Sequence, residues 1–283
     1  MTLTGRLVRS VSGFYTVRTD QGEVLCRARG IFRLKGISPL TGDFVSVDLL
    51  PDGSGSITDV AERRNALVRP PVCNIDKLVV LVSEATPRTD PFIIDKMTAM
   101  AAYRSIGIIL LINKTDLDPG DMLYEIYKTA GFPVLRVSAL TRNGFEDIWP
   151  LIKGQCIALA GNSGVGKSAL LNALEGGGGR ETGEVSERLG RGRHTTRHVE
   201  LFALPHDVLA ADTPGFAALD TLDPIPPAEL AGCFIDFRPF LLNCRFAGCL
   251  HGEGQKDCTV REALREGKIH KSRYDNYVRM LST

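Results

Sequence analysis

Short stretches of alternating hydrophobic and polar residues occupy the first 64 positions of the chain. An alternation with period two is typical of half-buried β-strands, and it predicts strands at 5–10, 14–18, 23–28 and 43–48. Glycine, proline and aspartate separate these stretches and favour turns. Short strands in so small a segment predict a closed barrel, and an OB-fold is the type that we favour. Such barrels often bind oligonucleotides, although a barrel without a ligand would have the same pattern.

From about residue 65 the pattern changes to continuous apolar stretches with helical stretches between them. The apolar stretches are rich in Val, Ile and Leu, and they predict buried strands at 77–82, 107–112, 134–137, 155–160 and 208–211. Helical patterns lie at 91–103, 122–130 and 167–174. This alternation predicts a parallel sheet with helices on its faces. After residue 230 the sequence changes again, to a cysteine cluster followed by helical sequence.

These patterns divide the 283 residues into a predicted OB-fold β-barrel at 1–64, a central α/β domain at 65–230 and a mostly helical C-terminal domain at 231–283. The chain is 43% hydrophobic and 24% charged, which excludes a disordered protein. No apolar stretch approaches the roughly 18 residues that a membrane span needs, and the N-terminus lacks the apolar region of a secretory signal. We therefore expect a cytoplasmic protein with no membrane partner.

The net charge of +1 excludes a histone-like protein, but the charge is unevenly distributed. Residues 1–64 carry 9 Lys and Arg against 7 Asp and Glu, and residues 231–283 carry 9 against 6. The central part carries 16 against 20. Two basic ends are a weak indication of a polyanionic partner, and ordinary variation of surface charge is the simpler explanation.

A phosphate-binding motif follows the predicted strand 155–160 and opens the predicted helix 167–174. The sequence fits G-x-x-x-x-G-K-[ST], and the predicted nucleotide-binding residues here are Gly161, Asn162, Ser163, Gly164, Val165, Gly166, Lys167, Ser168 and Ala169. Glycines allow the backbone N–H groups to approach phosphates closely, and the helix N-terminus favours an anion. We expect Lys167 to contact the β- and γ-phosphates and to serve catalysis, and Ser168 to bind Mg²⁺.

Two further motifs indicate that the base is guanine. The first, N-K-x-D, follows the predicted strand 107–112 and comprises Asn113, Lys114, Thr115 and Asp116. Asp116 would accept hydrogen bonds from guanine N1–H and the N2 amino group, a donor pair that adenine lacks. Asn113 would brace the site, and the stem of Lys114 would cover the base. The second motif is Ser138-Ala139, where a backbone N–H would reach guanine O6.

The motif Asp212-Thr213-Pro214-Gly215 follows the strand predicted at 208–211. Asp212 would hold Mg²⁺ through water, and the N–H of Gly215 would sense the γ-phosphate. In ordinary GTPases the phosphate loop comes first and the guanine motif last, whereas here the guanine motif comes first. A circularly permuted domain can assemble the same sheet, because the ends of a chain commonly lie close together.

A glycine- and arginine-rich segment lies between the phosphate loop and Asp212, at 176–199. A threonine hydroxyl or carbonyl of this segment would complete the Mg²⁺ shell. Phe216 occupies the position at which many GTPases place a glutamine that orients water, and phenylalanine cannot do so. His194 is the best candidate for a catalytic group. The alternative is that His194 is an exposed histidine that contacts a partner.

The cysteine cluster indicates a zinc site. Its spacing is Cys244-x₄-Cys249-x-His251-x₆-Cys258, and three cysteines with one histidine are a common ligand set for a structural Zn²⁺. A small domain with little apolar content gains folding energy from such an ion. The remaining cysteines lie in apolar or turn contexts and are predicted to be core residues: Cys26, Cys73, Cys156 and Cys233.

The order of these motifs resembles that of the bacterial small-ribosomal-subunit biogenesis GTPases, the RsgA/YjeQ family. The resemblance covers essentially the whole chain, including the segment G-R-G-R-H-T-T that contains His194. It implies that His194 is the catalytic histidine and that Thr195 or Thr196 is the switch threonine that helps to bind Mg²⁺. The chain departs from the family pattern at Asn162, at Arg197 and in the spacing between His251 and Cys258.

The resemblance also implies a late-acting assembly factor that binds 16S rRNA of the 30S subunit near the decoding centre. The subunit would stimulate GTP hydrolysis, and hydrolysis would promote release. We therefore predict a monomeric, Mg²⁺-dependent GTPase whose intrinsic turnover is slow. Two alternatives remain: an RNA-binding scaffold that never turns GTP over, and a GTPase that acts on another ribosomal particle or an mRNA.

Overall fold

The structure is a computed structural model of the chain, and it describes residues 1–34, 36–68, 71–176, 199–211 and 224–282. Three parts follow one another along the sequence: a β-barrel, a helix-covered sheet and a helical C-terminal part. The barrel, the parallel sheet and the helical end with its cysteine cluster confirm the predicted fold class. The boundaries at 64 and 230 stay predictions.

Five strands close the N-terminal barrel in the order β1-β2-β3-β5-β4. Strands β3 and β5 pair in parallel, and the other neighbours pair antiparallel. They are β1 Thr2–Val11, β2 Phe14–Thr19, β3 Gly22–Ala28, β4 Phe44–Leu49 and β5 Gly55–Val60, and a short helix α1 spans Ile31–Leu34. Alternate side chains such as Leu7, Val17 and Ile57 fill the interior. The sequence prediction missed β5, because the glycines and serines at its start are typical of turns.

A six-stranded sheet forms the centre of the chain, in the order β10-β9-β8-β11-β13-β12. The small hairpin of β6 Ala66–Leu67 and β7 Val72–Cys73 precedes it. The strands of the six-stranded sheet are β8 Lys77–Val82, β9 Gly107–Ile112, β10 Val134–Arg136, β11 Cys156–Ala160, β12 Leu201–Leu204 and β13 Val208–Ala211. All neighbours pair in parallel except β12 and β13, which form an antiparallel hairpin. Strand β12 was not predicted, because four residues are too few to show a period.

Helices cover both faces of the sheet, as the continuous apolar strands predict. They are α2 Pro91–Tyr103, α3 Asp121–Thr129, α4 Trp149–Ile152 and α5 Lys167–Leu174. Along β8, Leu78 and Val80 face one apolar core while Val79 and Leu81 face the other. Because both faces are buried, the strands have no polar side, and the carboxyl ends of β8, β9, β10, β11 and β13 meet at one edge.

The C-terminal part packs against helix α2 of the central domain. It contains α6 Pro227–Cys233, a 3₁₀ helix Arg238–Asn243, α7 Thr259–Arg265 and α8 Lys271–Leu281. Packed aromatic rings form its core: the ring centres of Phe234 and Phe237 lie 5.1 Å apart, and Tyr277 contacts both rings edge-on. Such edge-on pairs stabilise a small core beyond the area that they bury.

A buried cation joins α8 to the central domain. The guanidinium of Arg273 is fully buried and donates to the carboxylates of Asp95 in α2, at 2.5 Å, and Asp236, at 2.5 and 3.0 Å. Asp95 also accepts hydrogen bonds from Tyr127 and Asn276. Burial raises the pKa of Asp95, and the positive charge of Arg273 opposes that shift. The network fixes the C-terminal part on α2, because each buried charge depends on the others.

Replacing Arg273 by leucine leaves two buried carboxylates without their cation. We expect Arg273→Leu to lower the free energy of unfolding by about 3–5 kcal/mol, measured by urea denaturation. The matched control is Lys271→Leu on the same helix, whose exposed pair with Asp275 should contribute little. Equal stability of the two variants would contradict the role of the buried network.

Candidate functional site

The loop between β11 and α5 has the backbone of a phosphate-binding loop. Gly161, Gly164 and Gly166 have φ values of 143°, 76° and 103°, which residues with a side chain rarely adopt. A Cβ on Gly161 would lie 2.2 Å from the carbonyl oxygen of Leu81, and a Cβ on Gly166 would lie 2.4 Å from Nδ2 of Asn113. Glycine is therefore required at both positions, and the loop leads directly into the N-terminus of α5.

The ammonium group of Lys167 lies across this loop. Its Nζ donates to the carbonyl oxygens of Gly161, at 2.6 Å, and Asn162, at 2.7 Å. The side chain is partly buried, and burial lowers the pKa of the ammonium. No carboxylate among the described residues pairs with it, so the group can exchange its two carbonyls for phosphate oxygens. Ser168 is half-buried in the first turn of α5, and Ser163 and Ala169 are exposed beside it.

The side chain of Asn113 connects three loops. It is 2% exposed; its Nδ2 donates to the carbonyl of Val165 at 2.9 Å, and its Oδ1 accepts from the N–H of Ala139 at 2.9 Å. These contacts fix the guanine motif against the phosphate loop and against the loop after β10. The sequence predicted the bracing role of Asn113 and proposed a backbone N–H of Ser138-Ala139 for guanine O6. In this structure the N–H of Ala139 is bonded to Asn113.

The remaining guanine-motif side chains are held by hydrogen bonds to neighbouring loops. The carboxylate of Asp116 is exposed and accepts from the hydroxyl of Ser138 at 2.5 Å. The hydroxyl of Thr115 donates to the carbonyl of Val137 at 2.9 Å. The Nζ of Lys114 donates to the carbonyl of Thr86 at 2.8 Å. One oxygen of Asp116 thus has a fixed orientation, and the exposed carboxylate is accessible to a base.

Sequence reasoning missed the loop between β8 and α2, at 83–90. Thr86 holds Lys114, and Pro87 lies beside Gly164, where a Cβ on the glycine would approach the proline ring to 3.2 Å. The loop follows the carboxyl end of β8, which lies between β9 and β11 in the sheet. The rule that ligands bind at strand ends points to this loop only once the strand order is known.

The structure brings the phosphate-loop and guanine-motif residues to one edge of the sheet. The contacts of these residues with a nucleotide stay predictions. Five other predicted site residues lie outside the described residues: His194, Thr195, Thr196, Asp212 and Gly215. Ala211, the last described residue before Asp212, pairs with Ala158 of the phosphate-loop strand.

The predicted zinc ligands lie together in the C-terminal part. One donor atom from each of Cys244, Cys249, His251 and Cys258 lies within 4.8 Å of the others. Nδ1 of His251 is 3.4 Å from the sulfur atoms of Cys244 and Cys258, which are 3.9 Å apart. Tetrahedral Zn²⁺ with Zn–S bonds of about 2.3 Å places its sulfur ligands about 3.8 Å apart. The cluster therefore fits zinc, and the longer spacing before Cys258 does not separate the ligands.

Hydrogen bonds outside the cluster hold the histidine in place. The hydroxyl of Tyr274 donates to the carbonyl of His251 at 2.8 Å, and the hydroxyl of Tyr277 donates to the carbonyl of Leu250 at 2.5 Å. Burial lowers the pKa of His251, which favours the neutral imidazole that binds metals. The aromatic core and the ligand cluster therefore support each other.

A parallel sheet with a phosphate loop and a guanine motif at one edge, in the order found here, defines a circularly permuted GTPase. None of the helices in the described ranges has the length and apolar character needed to cross a membrane. Family models match the chain as an RsgA N-terminal domain at residues 4–57 and an RsgA GTPase at residues 60–222. The chain belongs to the RsgA family of GTPases and is a GTP-hydrolysing enzyme.

Curated relatives and solved structures agree with this assignment. The small ribosomal subunit biogenesis GTPase RsgA of Caldanaerobacter subterraneus is 41% identical over 99% of this chain and 95% of its own length. The protein of that name from Geobacillus kaustophilus is 40% identical over 97% and 94%. The crystal structure of YjeQ from Thermotoga maritima has a TM-score of 0.87 at 35% identity, covering 100% and 98% of the two chains. YloQ, a circularly permuted GTPase, has a TM-score of 0.84 at 32% identity, covering 100% and 94%.

Substituting Asp116 should reduce the preference for guanine. We expect Asp116→Asn to lower the ratio of GDP to ADP affinity by about 10- to 100-fold, the contribution of hydrogen bonds to a charged acceptor. Competition binding measures the ratio. The matched control is Asp118→Asn, since Asp118 accepts from the N–H of Gly120 in the same loop at 2.9 Å and an asparagine oxygen can replace it. An unchanged ratio in Asp116→Asn would refute base recognition by this residue.

Loss of one cluster ligand should remove the metal. We expect Cys258→Ser to reduce bound zinc well below one ion per chain and to lower the melting temperature, because structural zinc contributes folding energy. Metal analysis and thermal unfolding measure the two effects. The control is Cys233→Ser, a buried thiol of the same part that lies outside the cluster. Full zinc content in Cys258→Ser would exclude that residue as a ligand.

Proposed function

We propose that this enzyme is an assembly factor that acts late in maturation of the 30S ribosomal subunit. It binds 16S rRNA, the subunit stimulates GTP hydrolysis, and hydrolysis drives release. Relatives that align over nearly the whole chain are named for biogenesis of the small ribosomal subunit, which supports this partner. Because that particle matures in the cytoplasm, we place the protein there, and we propose that it acts as a monomer.

The outer surface of the barrel is the feature that most directly supports binding of RNA. Two rings are exposed there, Phe14 at 41% and Phe44 at 45%, and each lies under an arginine. The guanidinium of Arg27 is 4.5 Å from the centre of the Phe14 ring, and that of Arg6 is 5.0 Å from the centre of the Phe44 ring. Arg6 also donates to the carbonyl of Asn74 at 2.6 Å, whereas Arg27 is exposed. Exposed rings stack with unpaired bases and an exposed arginine neutralises phosphate, so this surface suits single-stranded or looped RNA.

A recess beside Phe44 adds a further arginine to this surface. Arg6, Arg18 and Phe44 line it together with Asp20 and Asp59, with a cavity volume of about 370 Å³. Arg18 is also paired with Glu23 at 2.8 Å. In addition, the C-terminal domain carries an excess of three positive charges over residues 231–283. We propose that both ends of the chain contact RNA, in domains bounded at residues 64 and 230, and that Zn²⁺ bound by the Cys₃His cluster holds the C-terminal domain in its folded shape.

In the nucleotide site each motif has a separate task. Asp116 selects guanine, Lys114 covers the base, and the backbone after β10 completes the pocket. Lys167 binds the β- and γ-phosphates and stabilises the charge that develops during transfer. Ser168, Asp212 and Thr195 or Thr196 would hold Mg²⁺, which neutralises phosphate charge when bound. Gly215 would contact the γ-phosphate.

The nucleophile in this reaction is water, which attacks the γ-phosphorus and releases GDP and phosphate. Phe216 cannot orient that water, so we assign the task to His194. Intrinsic turnover should be slow, and contact with the subunit should accelerate it. A scaffold that only binds GTP would keep its affinity but show no acceleration.

Turnover of GTP in the presence of purified small ribosomal subunits tests this function. We expect the subunits to accelerate hydrolysis by the wild type, and His194→Ala to lower the accelerated kcat by about 100-fold or more at unchanged GDP affinity. The control is His206→Ala. This histidine lies in the turn between β12 and β13, and its ring packs against that of Trp149. Large subunits serve as the control particle.

Two results would contradict the proposal. Wild-type protein that binds GTP but is not accelerated by small subunits would favour a scaffold or another activating particle. Undiminished accelerated turnover in His194→Ala would leave the partner intact but exclude the catalytic role of this residue.

A further inference from the structure

The barrel contacts the central sheet through a buried threonine that belongs to none of the nucleotide motifs. Thr41 is 2% exposed, and its hydroxyl donates to the carbonyl oxygen of Val199 at 3.0 Å. The two residues are 158 positions apart in the sequence. The bond therefore ties the segment before β4 to the segment that enters β12.

The turn that carries Thr41 is held rigidly. The carboxylate of Asp43 is fully buried and accepts from the N–H of Leu40 at 2.7 Å and from Arg63 at 2.7 and 2.8 Å. Gly42 has a φ of +102°, and a Cβ there would lie 2.0 Å from the carbonyl oxygen of Cys73. With backbone and side chain both fixed, the hydroxyl of Thr41 has little freedom to follow a moving partner.

The carbonyl of Val199 lies near the point where two segments join the sheet, one with His194 and one with Asp212. Val199 is two residues before Leu201, the first residue of β12, and Leu201 pairs with Ala211, the last residue of β13. Asp212 follows Ala211 directly, and His194 is five residues before Val199. Both segments thus meet the sheet at the end of the hairpin that Thr41 contacts.

A second contact between barrel and hairpin is exposed. Arg9 of β1 and Glu200 form an isolated antiparallel β-bridge, and their side chains pair at 3.7 Å. Both side chains are more than half exposed, so the ion pair contributes little. Val8 of the barrel belongs to the same apolar core as Val199 and Leu201, so apolar packing also joins the barrel to the hairpin. The buried hydroxyl of Thr41 is the polar side-chain group that holds the carbonyl of Val199.

We infer that Thr41 is a positioning residue for GTP hydrolysis. By fixing the carbonyl of Val199, the barrel holds the hairpin end from which the segments with His194 and Asp212 depart. This inference rests on the catalytic and Mg²⁺-binding roles proposed for those two residues. It makes the RNA-binding barrel a structural support of the catalytic segments.

Paired substitutions separate the hydroxyl from the volume of the side chain. Thr41→Val keeps the shape and removes the donor, whereas Thr41→Ser keeps the donor. We expect Thr41→Val to lower kcat for GTP hydrolysis about three- to tenfold, which corresponds to the net free energy of one hydrogen bond. The KM for GTP and the affinity for GDP should both stay unchanged. Thr41→Ser should retain most of the wild-type kcat, and Arg9→Gln should match the wild type.

The assay measures basal turnover of the full chain without subunits, so its result does not depend on stimulation by a partner. Thermal unfolding shows whether each variant is folded, and Thr41→Ala replaces Thr41→Val if the latter does not fold. The inference is overturned if Thr41→Val has the wild-type kcat, if Thr41→Ser loses as much as Thr41→Val, or if the loss falls on KM alone. Failure of His194→Ala to lower turnover would instead refute the proposed catalytic residue.

Discussion

The buried side chain of Asn113 is the contact on which the nucleotide site depends. Its amide joins the carbonyl of Val165 in the phosphate loop to the N–H of Ala139 after β10, with both bonds at 2.9 Å. Gly166 has no side chain because Asn113 occupies the space that a Cβ would need. Three loops that are far apart in the sequence are thereby held in one arrangement by protein contacts, and such preorganisation favours selective binding.

Permutation changes which parts of the chain flank this site. The strand order places the guanine and phosphate motifs at one edge of the sheet, although their order in the sequence is reversed. The barrel contacts the β12–β13 hairpin through Thr41, and the C-terminal part is fixed on α2 through Arg273. Helix α2 in turn begins after the loop 83–90 that holds Lys114. Both flanking parts are therefore connected by buried contacts to segments beside the nucleotide site.

Local patterns were sufficient to predict the barrel, the parallel sheet, the phosphate loop and the cysteine cluster. Each depends on residues close in sequence, such as Gly161 to Lys167 before a helix. What could not be predicted depends on contacts between distant residues. The partners of Arg273 lie on α2 and near the 3₁₀ helix, and the bond from Thr41 to Val199 spans two domains. Strand β12 is stabilised by its pairing with β13 rather than by its own composition.

A crystal structure with GDP and Mg²⁺ would test the central claim, that this rearranged chain builds a guanine-nucleotide site, most directly. We expect the carboxylate of Asp116 to lie within hydrogen-bonding distance of guanine N1 and N2. We also expect Nζ of Lys167 to leave the carbonyls of Gly161 and Asn162 for the β-phosphate. A nucleotide bound elsewhere, or a base that does not contact Asp116 while Lys167 keeps both carbonyls, would contradict it.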